Sequence, residues 1–176
     1  MKTFKRAIVL LVTCMLPVCM NARTGEETPA YRQKGYAGNI ALTNWCFVFA
    51  GFETSHGYMF NEHHYLGLGF ETHISPALDF VGVIEPFVEY KSYFLKRGST
   101  PTASLRTGYC TGFFYNESEK PIRIVALPIA FELNPSLGWD WGLKKGKGLS
   151  LNVGMQVLIA DAETALATKV SFGFCF

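Results

Sequence analysis

Residues Leu166 to Phe176 read LATKVSFGFCF, and their alternation decides the architecture. Leu166, Val170, Phe172, Phe174 and Phe176 fall on one face of an extended chain, and Ala167, Lys169, Ser171, Gly173 and Cys175 on the other. A period of two is that of a β-strand with one apolar side and one polar or small side.

The same period recurs upstream. From Gly35 onward seven further runs precede this one, giving eight, an even number as a closed antiparallel barrel requires. Gly35–Thr43 sets Tyr36, Ile40 and Leu42 against Asn39, Ala41 and Thr43. Cys46–His56 sets Val48, Ala50, Phe52 and Thr54 against Phe49, Gly51, Glu53 and Ser55. His64–Ile74 sets Leu66, Leu68, Phe70 and Ile74 against Gly67, Gly69, Glu71 and His73. In Gly82–Phe94, Ile84, Val88, Tyr90 and Phe94 oppose Glu85, Phe87, Glu89 and Lys91. In Thr102–Phe114, Leu105, Tyr109 and Phe113 oppose Arg106, Gly108, Cys110 and Gly112. In Ala130–Leu143, Phe131, Leu133, Leu137, Trp139, Trp141 and Leu143 oppose Glu132, Asn134, Ser136, Gly138 and Asp140. In Gly148–Ala160, Leu151, Val153, Met155, Val157 and Ile159 oppose Ser150, Asn152, Gly154 and Gln156.

The charges decide which face points where. Glu53, Glu71, Glu85, Glu89, Lys91, Arg106, Glu132, Asp140 and Lys169 all share the polar faces. Facing lipid they would each cost a few kcal/mol at mid-depth. Unpaired in a soluble core they would also be costly. An apolar exterior around a polar lumen meets both constraints, whereas a soluble ligand-binding barrel has the opposite pattern. The reading is an all-β, eight-stranded antiparallel up-and-down transmembrane β-barrel. Pro86 and Pro135 interrupt two runs and predict bulges or register defects.

The chain opens with Met1-Lys2-Thr3-Phe4-Lys5-Arg6 and an apolar run, Ala7 to Met20, broken by Pro17. This is the pattern of a signal peptide over residues 1–22, too short to span a membrane as a helix. Residues 23–34 form a lead-in, and 35–176 the barrel domain. A lipoprotein reading at Cys19 fits less well, because Leu16-Pro17-Val18 is a poor lipidation context. Removal of Lys2, Lys5 and Arg6 leaves thirteen basic against fourteen acidic residues. That balance carries no nucleic-acid footprint. Cys46, Cys110 and Cys175 remain, an odd number without metal-ligand spacing; Cys110 and Cys175 face inward and read as small interior-filling residues, while Cys46 falls on the apolar face of the second run. With both barrel ends periplasmic, Met59–His63, Lys96–Pro101 and Lys144–Lys147 are periplasmic turns, and the longest connection, Tyr115–Ile129, is exterior.

Several pieces resemble a family of small outer-membrane barrels of the Bacteroidetes. They are Lys34-Gly35-Tyr36-x-Gly38, Thr54-Ser55-His56-Gly57-Tyr58-x-Phe60-Asn61, Leu66-Gly67-Leu68-Gly69 and the closing Phe172-Gly173-Phe174-x-Phe176. The closing strand also resembles the C-terminal strand by which outer-membrane barrels are recognised for assembly. The resemblance implies an outer-membrane location, with Phe172, Phe174 and Phe176 as the assembly signal. It implies outer-membrane lipid and the barrel assembly machinery as partners, and leaves any extracellular partner unidentified.

No catalytic constellation emerges. His63 and His64 are neighbours and so point to opposite faces of a strand. His56 and His73 could approach across paired strands two and three, but a turn histidine at the membrane interface is the favoured reading. Glu85 and Glu89 lie on one face, but inward charges in an eight-stranded barrel are expected to pair, with Arg106 and Lys169 as the cations. Ser55 and His56 also face opposite ways, against a lipid-hydrolysing site. Trp45, Tyr36, Trp139, Trp141, Tyr65, Tyr93 and Tyr115 are expected to form interfacial girdles. No cofactor or metal is expected. The reading is a barrel with a structural or surface-interaction role and no catalysis. The alternatives are a narrow channel or small-ligand barrel, then a lipid-modifying enzyme, then a secreted soluble barrel.

Overall fold

A computed structural model describes residues 32–75, 81–96, 98–116, 123–126, 129–143, 146–160 and 163–176. The expected signal peptide and residues 23–31 lie outside the described residues. Each alternating run forms a strand: β1 Gly35–Trp45, β2 Phe49–Met59, β3 His64–Ser75, β4 Val81–Tyr93 and β5 Ser99–Asn116. β6 Arg123–Ala126, β7 Ala130–Gly142, β8 Gly148–Ala160 and β9 Glu163–Cys175 follow. All pairings are antiparallel, and β1 pairs with β9, so that eight strands close into a ring. β6 stands outside the ring as a short ribbon on Phe113–Asn116 of β5.

The stagger of the barrel follows from the register. From Gly35, the partners run through Met59, Tyr65, Lys91, Ser104, Ser136, Gly154 and Lys169, and return to β1 at Trp45, ten residues on. For eight strands with ~3.3 Å rise and ~4.8 Å spacing, that shear tilts the strands by about 40°. The shortest, of 11 residues, then projects to about 28 Å along the axis, close to the thickness of a bilayer's hydrocarbon core. We call the end where β1 begins and β9 finishes the base, and the opposite end the rim.

The seam between first and last strands closes at the base. Gly38 N–H donates to the Phe176 carbonyl at 2.7 Å, and Phe176 N–H donates to the Gly38 carbonyl at 3.0 Å. A Cβ at position 38 would lie 2.7 Å from the Phe176 ring, so the glycine is what lets that ring lie flat on the seam.

Three expectations change. Pro86 and Pro135 bring neither bulge nor shift. The β4–β5 ladder skips Glu85 and Pro86, the β7–β8 ladder skips Asn134 and Pro135, and the register on either side of each gap is the same. A proline removes an N–H donor, but ring closure pins the strand on both of its edges. Cys46 is not part of the second strand. It sits with Phe47 in the β1–β2 turn, both at positive φ (48° and 63°), and Val48 N–H donates back to the Trp45 carbonyl at 2.9 Å. β5 starts at Ser99 rather than Thr102, which shortens the base turn expected over Lys96–Pro101.

Candidate functional site

The alternation of each strand sorts charge from lipid-like surface without exception among the described barrel strands. Leu42, Phe52, Leu66, Leu68, Phe70, Val88, Leu105, Leu137, Leu151, Val153, Leu166 and Phe172 point outward and are exposed. No outward strand position carries Asp, Glu, Lys or Arg. Glu53, Glu71, Glu85, Glu89, Lys91, Arg106, Glu132, Asp140 and Lys169 all point inward and are buried.

Inside, the charges form layers. At mid-height Arg106 forks onto Glu53, with Nη1–Oε2 at 2.5 Å and Nη2–Oε1 at 2.7 Å. Its Nε donates to Glu89 at 3.2 Å, and Glu71 lies 3.6 Å from Nη1. Lys169 pairs with Glu71 and lies 3.5 Å from Glu53. A guanidinium can fill this role because its planar fork meets two carboxylates at once. The Arg106 guanidinium also lies 4.7 Å over the Phe87 ring. Toward the base, Lys91 Nζ donates to Asp140 at 2.9 Å. Arg32, from the lead-in, reaches under the barrel to within 3.7 Å of the same carboxylate. Toward the rim, Gln156 Nε2 donates to Glu85 at 3.0 Å. His73 Nε2 lies 3.0 Å from Glu71 and 2.7 Å from Thr43 Oγ1. Both carboxylate oxygens of Glu132 are buried without a hydrogen-bond partner among the described residues.

Apolar plugs close the layers above and below. At the base, Ala37, Met59, Tyr65 and Tyr93 pack together. Arg32 and Lys91 each lie 5.2 Å from the Tyr93 ring centroid. At the rim, Trp45, Val83 and Cys110 pack with Phe49 and Leu158. The Trp45 ring centroid lies 4.0 Å from that of His73, the two rings tilted by 41°. A cavity between Asn39, Ser55, Tyr65 and Cys175 has a volume of about 10 Å³, room for about one water.

These plugs correct the girdle expectation. Trp45, Tyr65 and Tyr93 point into the lumen, because they share the parity of Thr43, Gly67 and Lys91. Strand parity alone marks them as inward; aromatic identity had suggested otherwise. Tyr36, Tyr58, Tyr90 and Trp141 are exposed at the base, and Trp139, half-buried there, donates Nε1–H to Ser99 Oγ at 2.6 Å. The side chain of Tyr115 lies outside the described residues. His56 and His73 do not meet, since one is outside the wall and the other inside.

Ser55 and His56 are likewise separated by the sheet. Tyr65 donates its hydroxyl to Ser55 Oγ at 3.2 Å inside. Outside, Thr54 gives its proton to the Asn39 carbonyl, so its oxygen accepts from His56 Nε2 at 3.0 Å. His56 Nδ1 then accepts from the Tyr36 hydroxyl at 2.6 Å. Neutral His56 is thereby satisfied at both nitrogens. Tyr90 donates to His64 Nδ1 at 2.7 Å in a matching pair. His63 Nδ1–H donates to the Tyr93 carbonyl at 2.7 Å. The motif around His56 thus builds the base surface: Asn61 Oδ1 accepts from His63 N and His64 N at 2.8 and 3.0 Å and folds the β2–β3 turn. Among the described residues, no group of His, Cys, Asp or Glu is arranged to hold a metal ion.

Phe172 and Phe174 point outward and are exposed; Phe176, on the same face, is half-buried beside Phe174 and His56. Cys110 and Cys175 are buried free thiols, and Cys46 is exposed.

No family model and no curated protein matches the chain. Solved structures do. The chain is similar to the N-terminal β-barrel domain of Pseudomonas aeruginosa OprF, with 12% identity and a TM-score of 0.51 over 82% of this chain and 98% of that one. It is also similar to neisserial surface protein A, NspA, with 9% identity and a TM-score of 0.61 over 81% of this chain and 94% of that one. At such identities the likeness is one of fold: a closed eight-stranded antiparallel β-barrel.

Proposed function

We propose that this chain is a small outer-membrane barrel of the kind found in Bacteroidetes, exported by its N-terminal signal peptide, with a structural or surface-interaction role and no catalysis. The observation that carries the reading is the complete sorting of charge. Apart from Glu163, exposed at the rim end of β9, every Asp, Glu, Lys and Arg on the described barrel strands is buried inside, and every outward position is apolar or uncharged. Only a barrel solvated by hydrocarbon on the outside has reason for that arrangement. The base then faces the periplasm and the rim the exterior.

The two apolar plugs favour a structural barrel over a conducting one. The split of Ser55 and His56 across the wall disfavours a hydrolase. Lipid is the partner of the outer wall. The barrel assembly machinery is the partner of the closing strand, with Phe172, Phe174 and Phe176 as its signal. The charge network of the lumen is the internal scaffold that holds the wall round.

Cell fractionation with a boiled-versus-unboiled gel shift tests this reading, for wild type and a Phe176 deletion. Outer-membrane protein with heat-dependent mobility, lost on deletion, is the expected result. Wild-type protein in the soluble periplasmic fraction would overturn it.

A further inference from the structure

The base carries a recess of about 550 Å³ outside the lumen, lined by Lys34, Phe60, Asn61, His63 and Lys96 among others. Its chemistry is that of a two-part ligand. Phe60 offers an exposed apolar floor continuous with Tyr58, whose ring lies 5.9 Å away. Lys34 has no ion-pair partner among the described residues and stands exposed at the mouth. Lys96 Nζ bonds Glu62, the one acidic residue of the recess, at 2.7 Å and retains two further N–H groups. Asn61 uses its carbonyl oxygen to fold the turn, which leaves its amide N–H₂ as a donor.

Charge along the axis points the same way. In the sequence, the three base turns, 60–63, 94–98 and 143–147, carry Lys96, Arg97, Lys144, Lys145 and Lys147 against Glu62, and the lead-in 23–34 carries Arg23, Arg32 and Lys34 against Glu26 and Glu27. In the sequence, the connections at the rim carry Asp79, Glu117, Glu119 and Asp161 against Lys120 and Arg123. Cations beside a membrane-embedded wall favour an anionic headgroup layer.

We infer that this recess binds the headgroup of an anionic phospholipid of the periplasmic leaflet, its phosphate held by Lys34, Lys96 and Asn61 and its glycerol and upper acyl chain against Phe60. The inference rests on the membrane reading above. It deepens that reading by assigning a lipid class to one side of the wall.

Native mass spectrometry of the folded mature protein in a neutral detergent tests it, with titration by dimyristoyl phosphatidylglycerol or dimyristoyl phosphatidylcholine. Each lysine at a lipid surface is worth roughly fivefold in affinity. Phosphatidylglycerol should therefore bind at least about fivefold tighter than phosphatidylcholine, and Lys34→Gln/Lys96→Gln should bring the ratio below about twofold. Both residues are exposed surface positions, so the variant retains the heat-modifiable folded band. Equal affinities in wild type, or an unchanged preference in the double variant, would overturn the inference and leave the barrel reading intact. Displacement of the lipid by about 10 mM inorganic phosphate, too dilute to screen contacts this close because the Debye length is about 30 Å at 0.01 M ionic strength, would also overturn it, assigning the recess to free phosphate. Failure of the wild type to give a folded band in either lipid would overturn the membrane reading and this inference with it.

Discussion

Replacement of Arg106 by methionine should be among the most destabilising single changes in this barrel. The guanidinium is buried, forks onto Glu53 at 2.5 and 2.7 Å, reaches Glu89 at 3.2 Å and stands 3.6 Å from Glu71. Methionine fills similar volume, so the loss is one of charge and hydrogen bonding rather than of packing. Lys169 alone would then face the carboxylates of Glu53 and Glu71, and Glu89 would lose its Nε–H donor. Removing one partner of a buried pair costs about 3–5 kcal/mol, because the remaining charges stay desolvated. That is a factor of a few hundred to a few thousand in the folding equilibrium. Arg106→Met combined with Glu53→Gln and Glu89→Gln should recover most of the loss, since replacing a whole buried network is often close to neutral. Urea titration in phosphatidylcholine vesicles measures both, by the emission of Trp139 and Trp141 on the outer wall and by gel mobility. A single variant within about 1 kcal/mol of wild type, or a triple variant no better than the single, would refute the account of the lumen as an Arg106-centred network.

Three further outcomes follow from local geometry. Gly38→Val should push the Phe176 ring off the seam, since a Cβ there already meets that ring at 2.7 Å, and should lower the yield of heat-modifiable folded barrel relative to wild type. Cys46→Asn with Phe47→Gly should stabilise the barrel by about 1–3 kcal/mol in the same urea titration, by relieving two positive φ angles at non-glycine residues; an unchanged midpoint would mean the turn is unstrained. At the base, the Lys96 hydrogen bond holds the exposed Glu62 carboxyl below its ordinary value of 4.5. A depressed folded-state value contributes stability above the unfolded value, lost as pH falls below about 4.5 through the folded one. Carboxyl titration by NMR in micelles should show Glu62 moving back up in Lys96→Gln, and an unmoved titration would disprove the coupling.

The alternation of eight runs was enough to read strand number, the sorting of charge between wall and lumen, and closure as a barrel. Period-two burial leaves a one-residue slip nowhere to go: it would carry Glu53 or Arg106 to the outside and Leu42 or Leu105 to the inside. Which side chains meet was another matter. Glu53 and Arg106 are 53 residues apart in the chain, and the fork between them depends on a stagger of ten residues around the ring that no single strand encodes. The prolines suggested broken register from local chemistry, and the closed ring, holding each strand on two edges, kept it. Trp45, Tyr65 and Tyr93 suggested a girdle from their identity, and the phase of their strands turned them inward as plugs. Local sequence determines which face a residue takes; the closure and shear of the whole sheet decide its neighbours, because only the three-dimensional ring brings distant strands to the same height.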